Sequence, residues 1–111
     1  MSLTTIPVTI ANTTALSPAA TLGSNRLLVG IAMPSGWDAA ALTFQASIDG
    51  GQTWLEMQGA SAVLTYAAAA GQYIAVDPAL WRGVTMVKVR SGTSGSPVSQ
   101  TADRALQLVV S

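Results

Sequence analysis

Ten side chains in this 111-residue chain are charged, five acidic and five basic, and there is neither a histidine nor a cysteine. Without imidazole or thiol the chain lacks the usual general bases, thiolate nucleophiles and disulfides, and nearly every transition-metal site. Carboxylate and hydroxyl chemistry remain. Glycoside hydrolysis needs two carboxylates about 5–10 Å apart. Asp38, Asp49 and Asp77 already read as turn or capping residues, Glu56 alternates outward on a strand, and Asp103 adjoins Arg104 at a strand entry. A hydroxyl nucleophile would have to use Lys88, the single lysine, as its base, and no S-x-x-K spacing occurs. No G-x-x-x-x-G-K-[ST] loop is present to cradle a nucleotide phosphate. Asp49 with loop carbonyls could hold calcium, but the dense acidic loop that such a site favours is missing. The expectation is a protein that is not an enzyme, with no catalytic, cofactor-binding or metal-binding residues.

The sharpest local signal is structural. Ser47-Ile48-Asp49-Gly50-Gly51-Gln52-Thr53-Trp54 fits the pattern S-x-D-x-G-x-T-W at all five specified positions. An aspartate followed by two glycines supplies an Asx-type turn and free access to positive φ, so the segment reads as a hairpin. It resembles the Asp-box of sialidases and other extracellular β-proteins. That resemblance implies a turn in which Asp49, Gly51, Thr53 and Trp54 are structural, the carboxylate accepting turn amides while the indole packs beneath. A single copy does not make a propeller.

The elements that position these residues are strands. Apolar residues alternate with period two at Ile6, Val8 and Ile10; at Leu27, Val29, Ile31 and Met33; and at Leu42, Phe44, Ala46 and Ile48. The alternation returns at 54–58, at 62–66, at Ile74 and Val76, at Val87 and Val89, and at Leu106, Leu108 and Val110. Glycine, proline and aspartate punctuate the chain about every ten residues, the spacing of sandwiches and barrels. These features predict an all-β, two-sheet antiparallel β-sandwich, jelly-roll-like, of about eight strands. Short helical turns are expected at 37–41 and 78–82, capped by Asp38 and Asp77. Residues 1–22 are set apart as an N-terminal arm or edge strand, less integrated than the sandwich domain of residues 23–111. The predicted core is Val29, Ile31, Phe44, Ile48, Trp54, Ile74, Val76, Val87, Val89, Leu106 and Leu108.

Half the residues are apolar and 9% are charged, far below the roughly 25% of an average soluble domain. Zero net charge leaves no electrostatic footprint for nucleic acid or an anionic membrane. The longest strongly apolar stretch, Leu27 to Met33, is too short to span a bilayer, and the first residues lack the basic and apolar regions of a secretory signal. A chain made in the cytoplasm is expected, and Asn12-Thr13-Thr14 reads as turn chemistry. Few charged gatekeepers on the strand faces favour an assembled protein, a homo-oligomer with a trimer preferred. Candidate contact residues are Gly92, Thr93 and Pro97 in the loop 92–97, together with the segment 2–14. Lys88 and Arg90 could form a basic patch with Arg82 and Arg104. Trp37 and Trp81, in predicted loops, with Trp54, Tyr66 and Tyr73, could form an aromatic platform for a sugar.

One ordered set of positions spans residues 24 to 110. It comprises Leu28-Val29-Gly30-Ile31-Ala32-Met33-Pro34, Trp37, Leu42-Thr43-Phe44-Gln45-Ala46-Ser47, Asp49-Gly50, Tyr73-Ile74-Ala75-Val76-Asp77-Pro78, Gly83-Val84, Val87-Lys88-Val89-Arg90-Ser91-Gly92-Thr93, Pro97-Val98 and Gln100. It resembles small β-sandwich virion structural proteins of tailed bacteriophages, of the head-decoration or head-fibre type. The resemblance implies a non-enzymatic virion component that binds other virion subunits, the major capsid protein first among them. The final strands are also similar to galactose-binding-like jelly rolls. That likeness implies the alternative, a carbohydrate-binding module for adhesion or receptor recognition.

Overall fold

The period-two segments become two packed sheets in a computed structural model that describes residues 3–111. In chain order the strands are β1 (Thr4–Ile10), β2 (Ala20–Thr21), β3 (Leu28–Ala32), β4 (Leu42–Ser47), β5 (Leu55–Glu56), β6 (Tyr73–Ala75), β7 (Met86–Ser91) and β8 (Arg104–Val110). A 3-10 turn, Pro78–Trp81, lies between β6 and β7, its Ala79 N–H capped by the Asp77 carboxylate. One sheet runs β1-β8-β3-β6 and the other β2-β7-β4-β5, with every pair antiparallel. The pairs β1·β8, β2·β7, β3·β6 and β4·β5 are nested hairpins that alternate between the sheets, closed by β8·β3 and β7·β4. This is the strand order of an eight-stranded jelly roll.

Side chains from both sheets fill the space between them. β1, β3 and β8 contribute Val8, Ile10, Leu28, Ile31, Leu106, Leu108 and Val110, and β4 and β7 contribute Leu42, Phe44, Val87 and Val89, all buried. Phe44 sits at the centre, edge-on to Trp81 (centroids 5.1 Å apart) and to Tyr66 (5.6 Å).

Several expectations are corrected. Val29 is half-buried because the β3–β8 register shifts between Leu28 and Gly30, and that bulge turns Leu28 inward with Ile31. Ile48 is 69% exposed, since β4 ends at Ser47 and the next residue already belongs to the turn. Trp54 is half-buried because it precedes the two-residue edge strand β5, and Ile74 is half-buried because the three-residue β6 that carries it is the edge of its sheet. Residues 62–66 make only isolated bridges, Val63 to Gln58 and Tyr66 to Leu42, whereas Ala20–Thr21 pairs with β7 although two residues show no readable alternation. No helical turn forms at 37–41; Asp38 instead binds Thr101 and Arg104, and the Trp37 indole N–H donates to the Ala40 carbonyl. Nor is the segment up to Leu22 weakly integrated. β1 pairs with β8 at seven consecutive positions, Val8, Ile10, Ser17 and Leu22 are buried, and the chain from Ala15 to Thr21 runs along β7. β1 and β2 are edge strands, one in each sheet.

Candidate functional site

The Asp49 turn joins β4 to β5 and closes through its own side chains. The Ser47 hydroxyl donates to Asp49 Oδ1 (2.8 Å) and accepts from the Gly51 N–H (2.8 Å), while Asp49 Oδ1 also accepts from the N–H groups of Gln52 (3.1 Å) and Thr53 (3.0 Å). Gly50 and Gly51 carry the positive φ values, 76° and 95°, that this tight path requires. The Thr53 N–H, the Ser47 hydroxyl and the other turn donors hold the Asp49 carboxyl below its ordinary value. Lys88 Nζ lies 4.5 Å from the Trp54 ring centroid, a cation–π contact that covers the indole. Three donors converge on Oδ1, so this oxygen of the carboxylate holds the backbone of the turn in place.

The other acids are occupied in similar ways. Glu56 receives both terminal nitrogens of Arg90 (2.7 Å each), with Gln45 Nε2 at 3.0 Å; this pairing, Arg90 first, lowers the Glu56 carboxyl and raises the Arg90 guanidinium. Asp38 accepts from the Thr101 N–H (2.7 Å) and hydroxyl (2.8 Å) and from Arg104 (3.4 Å), which holds its carboxyl low, the Thr101 N–H most strongly. Asp103 accepts from the Asn12 N–H. Among the described residues no three acids gather as metal ligands. Gln100, fully buried, ties this end together: its Oε1 accepts from the Asp38 N–H and Arg104 Nε, and its Nε2 donates to the Asp38 carbonyl and the Ser91 hydroxyl.

The contact residues expected from the sequence scatter. Trp37 and Trp81 are buried, so neither offers a ring to a sugar: their loops fold back over the core, and apolar area outweighs loop position. Of the other three rings, Tyr66 packs on Phe44, Trp54 lies under Lys88, and Tyr73 is exposed on the other sheet, so the five do not share one surface. The four cations of the supposed basic patch are also dispersed. Arg90 is paired with Glu56, Lys88 lies on Trp54, Arg104 is in the other sheet with Asp38, and Arg82 follows the 3-10 turn. In the loop 92–97 the Gly92 N–H donates to the Ala41 carbonyl, Gly92 bridges Pro97, and Thr93 and Ser96 exchange backbone bonds. Thr93 and Pro97 are exposed on this small hairpin, whereas Gly92 is buried. Of the segment 2–14, Ser2 lies outside the described residues.

One feature that the sequence reading missed is the outer face of the β1-β8-β3-β6 sheet. Registry puts Thr5, Pro7 and Thr9 of β1 opposite Val109, Gln107 and Ala105 of β8; beside them lie Gly30 and Ala32 of β3, then Ala75 and Tyr73 of β6. None of these ten residues is charged. The Tyr73 side chain lies across Gly30, where a Cβ would collide with its ring. Four strands about 4.8 Å apart and up to seven residues long make an area of roughly 300 Å2 without a charged side chain. The signal was present in the uncharged alternate positions of β1 and β8, but those strands lie about a hundred residues apart.

Comparison of the chain with protein-family models, curated proteins and solved structures finds no match.

Proposed function

We propose that this jelly roll is a non-enzymatic virion structural protein of a tailed bacteriophage, a head decoration or head-fibre base, assembled as a homo-oligomer with a trimer preferred. The observation that carries this reading is the charge-free outer face of the β1-β8-β3-β6 sheet. An uncharged surface loses less on desolvation than a charged one when it meets another protein surface, and it suits a subunit that functions in contact with others. Pro7 favours face over edge as the docking element. It sits in the middle of β1, the longest free edge among the described residues, where the missing N–H breaks the row of donors that an incoming strand would need.

Two measurements test the reading. Sedimentation of the purified chain is expected to give an oligomer, and virions carrying a deletion of the coding sequence are expected to lack a discrete head feature. A monomer at high concentration that does not bind capsids, or virions unchanged by the deletion, would refute it. The burial of Trp37 and Trp81 removes the first two aromatic candidates of the carbohydrate-binding alternative.

A further inference from the structure

The end of the sandwich that carries the Asp49 turn is built around Thr85. Its N–H and hydroxyl donate to the Ser47 carbonyl, and its own carbonyl accepts from the N–H groups of Leu22 and Gly23. These bonds clamp the β2–β3 loop to the segment entering β7, and the two segments line an open cavity of about 380 Å3. That volume falls within the range of small-molecule sites, roughly 300–1,000 Å3. Arg26 and Arg82 both line it, with Gly23, Ser24, Asn25 and Thr85, and no acidic residue does.

Charge bookkeeping singles out these two arginines. Arg90 and Arg104 have carboxylate partners and Lys88 covers Trp54, whereas Arg26 and Arg82 have no acidic partner among the described residues. In a chain with five cations and five anions, the two unmatched guanidinium groups meet at one concavity. The stem of Arg26 folds back against Gly23, its Cδ 3.6 Å from where a Cβ would stand, so this side chain is already laid along the cavity wall. The backbone adds donors. The N–H groups of Ser24 and Asn25 bond to no acceptor among the described residues, and Asn25 has a φ of 61°. Successive N–H groups beside a left-handed residue form the nest that binds anions.

We propose that this cavity binds a small oxyanion, a carboxylate, phosphate or sulfate group, between Arg26 and Arg82 and over the turn 24–26. Two guanidinium forks match the paired oxygens of such groups. The site is independent of the assembly reading, because it lies at the loop end and shares no residue with the charge-free face.

Inorganic phosphate, acetate and glucuronate, each titrated into the isotopically labelled full chain at low salt and followed by amide chemical shifts, test it. Saturable shifts confined to 23–27 and 82–85 are expected with at least one probe. Arg26→Gln and Arg82→Gln should each weaken that binding about tenfold, with unchanged melting curves showing that the fold is intact. Tighter binding of glucuronate than of acetate would point to an acidic sugar, and equal or tighter binding of phosphate to a bare oxyanion. No saturable shift with any probe, shifts scattered over the surface, or binding that survives in the double variant would overturn the proposal.

Discussion

The two sheets present opposite outer faces. On the β2-β7-β4-β5 sheet, Lys88 and Arg90 of β7 stand opposite Gln45 and Thr43 of β4, with Glu56 of β5 opposite Gln45, so the face is charged but matched within itself. Arg90, its side chain only 8% exposed, reaches both Glu56 oxygens and the Thr43 hydroxyl; Lys88 is spent on Trp54. The outer face of the β1-β8-β3-β6 sheet has no charge to match. The low charge of the chain is therefore unevenly distributed: one face is complete alone, and the other is made of surface that costs little to cover. A partner gains more from the second.

The largest expected effect lies in the core that both faces share. Phe44→Ala should cost about 3–5 kcal/mol in chemical denaturation, because the ring is buried and packs edge-on to Trp81 and Tyr66. A loss below about 1 kcal/mol would remove Phe44 from the core, and with it the shared foundation of the two faces.

The charged face comes next. Glu56→Gln leaves the Arg90 guanidinium largely buried without a counterion. Removing one partner of a fully buried pair is strongly destabilising, but the Glu56 side chain is 37% exposed and solvent offsets part of the loss, so about 1–2 kcal/mol is expected. An unchanged denaturation midpoint would show that this face is not held by its internal pairing.

A matched pair of substitutions separates the faces directly. Gln107 and Gln45 are both half-buried, one near the middle of each outer face. Lysine at either position should change monomer stability by no more than about 0.5 kcal/mol. Only Gln107→Lys should dissociate the proposed oligomer in sedimentation, since a buried unpaired ammonium is costly. Dissociation by Gln45→Lys with Gln107→Lys left assembled would reverse the assignment of the docking face.

What the sequence made legible was local. The hairpin at 47–54 could be read because every partner of Asp49 lies within four residues, and the strands could be read because period-two burial needs no knowledge of neighbours. What it hid depends on pairing. The bulge at Val29 exists only in relation to β8, the strand at Ala20–Thr21 only in relation to β7, and the acid that pairs with Arg90 is known only once β5 brings Glu56 to it. Trp37 and Trp81 looked like loop residues because the punctuation around them is genuine, yet burial of their large rings decided their place. Both proposed surfaces, the charge-free face and the Arg26–Arg82 cavity, are built from segments far apart in the chain.

The smallest expected effect concerns acid, to which the faces should respond unequally. Asp49 and Glu56, at the β4–β5 hairpin, both have carboxyls held below their ordinary values, by the Thr53 N–H and by Arg90 respectively. A carboxyl lowered in the folded state binds fewer protons there than in the unfolded chain. Its stabilisation is therefore present above the ordinary values of 3.8 and 4.5 and is lost as the pH falls through the lowered folded values. The charge-free face has no carboxylate to protonate; the Asp38–Arg104 contact acts at the loop end beside it and should loosen in the same pH range. Amide-exchange protection measured at falling pH should thus decline first along β4–β5 and around Asp38, while the middle of β1–β8 stays protected. Asp49→Asn should flatten the decline at the hairpin alone, because the amide keeps one acceptor oxygen but cannot take up the proton. Uniform loss of protection across both sheets, unaltered in Asp49→Asn, would show that acid acts on the whole sandwich and that the two faces do not differ in what holds them.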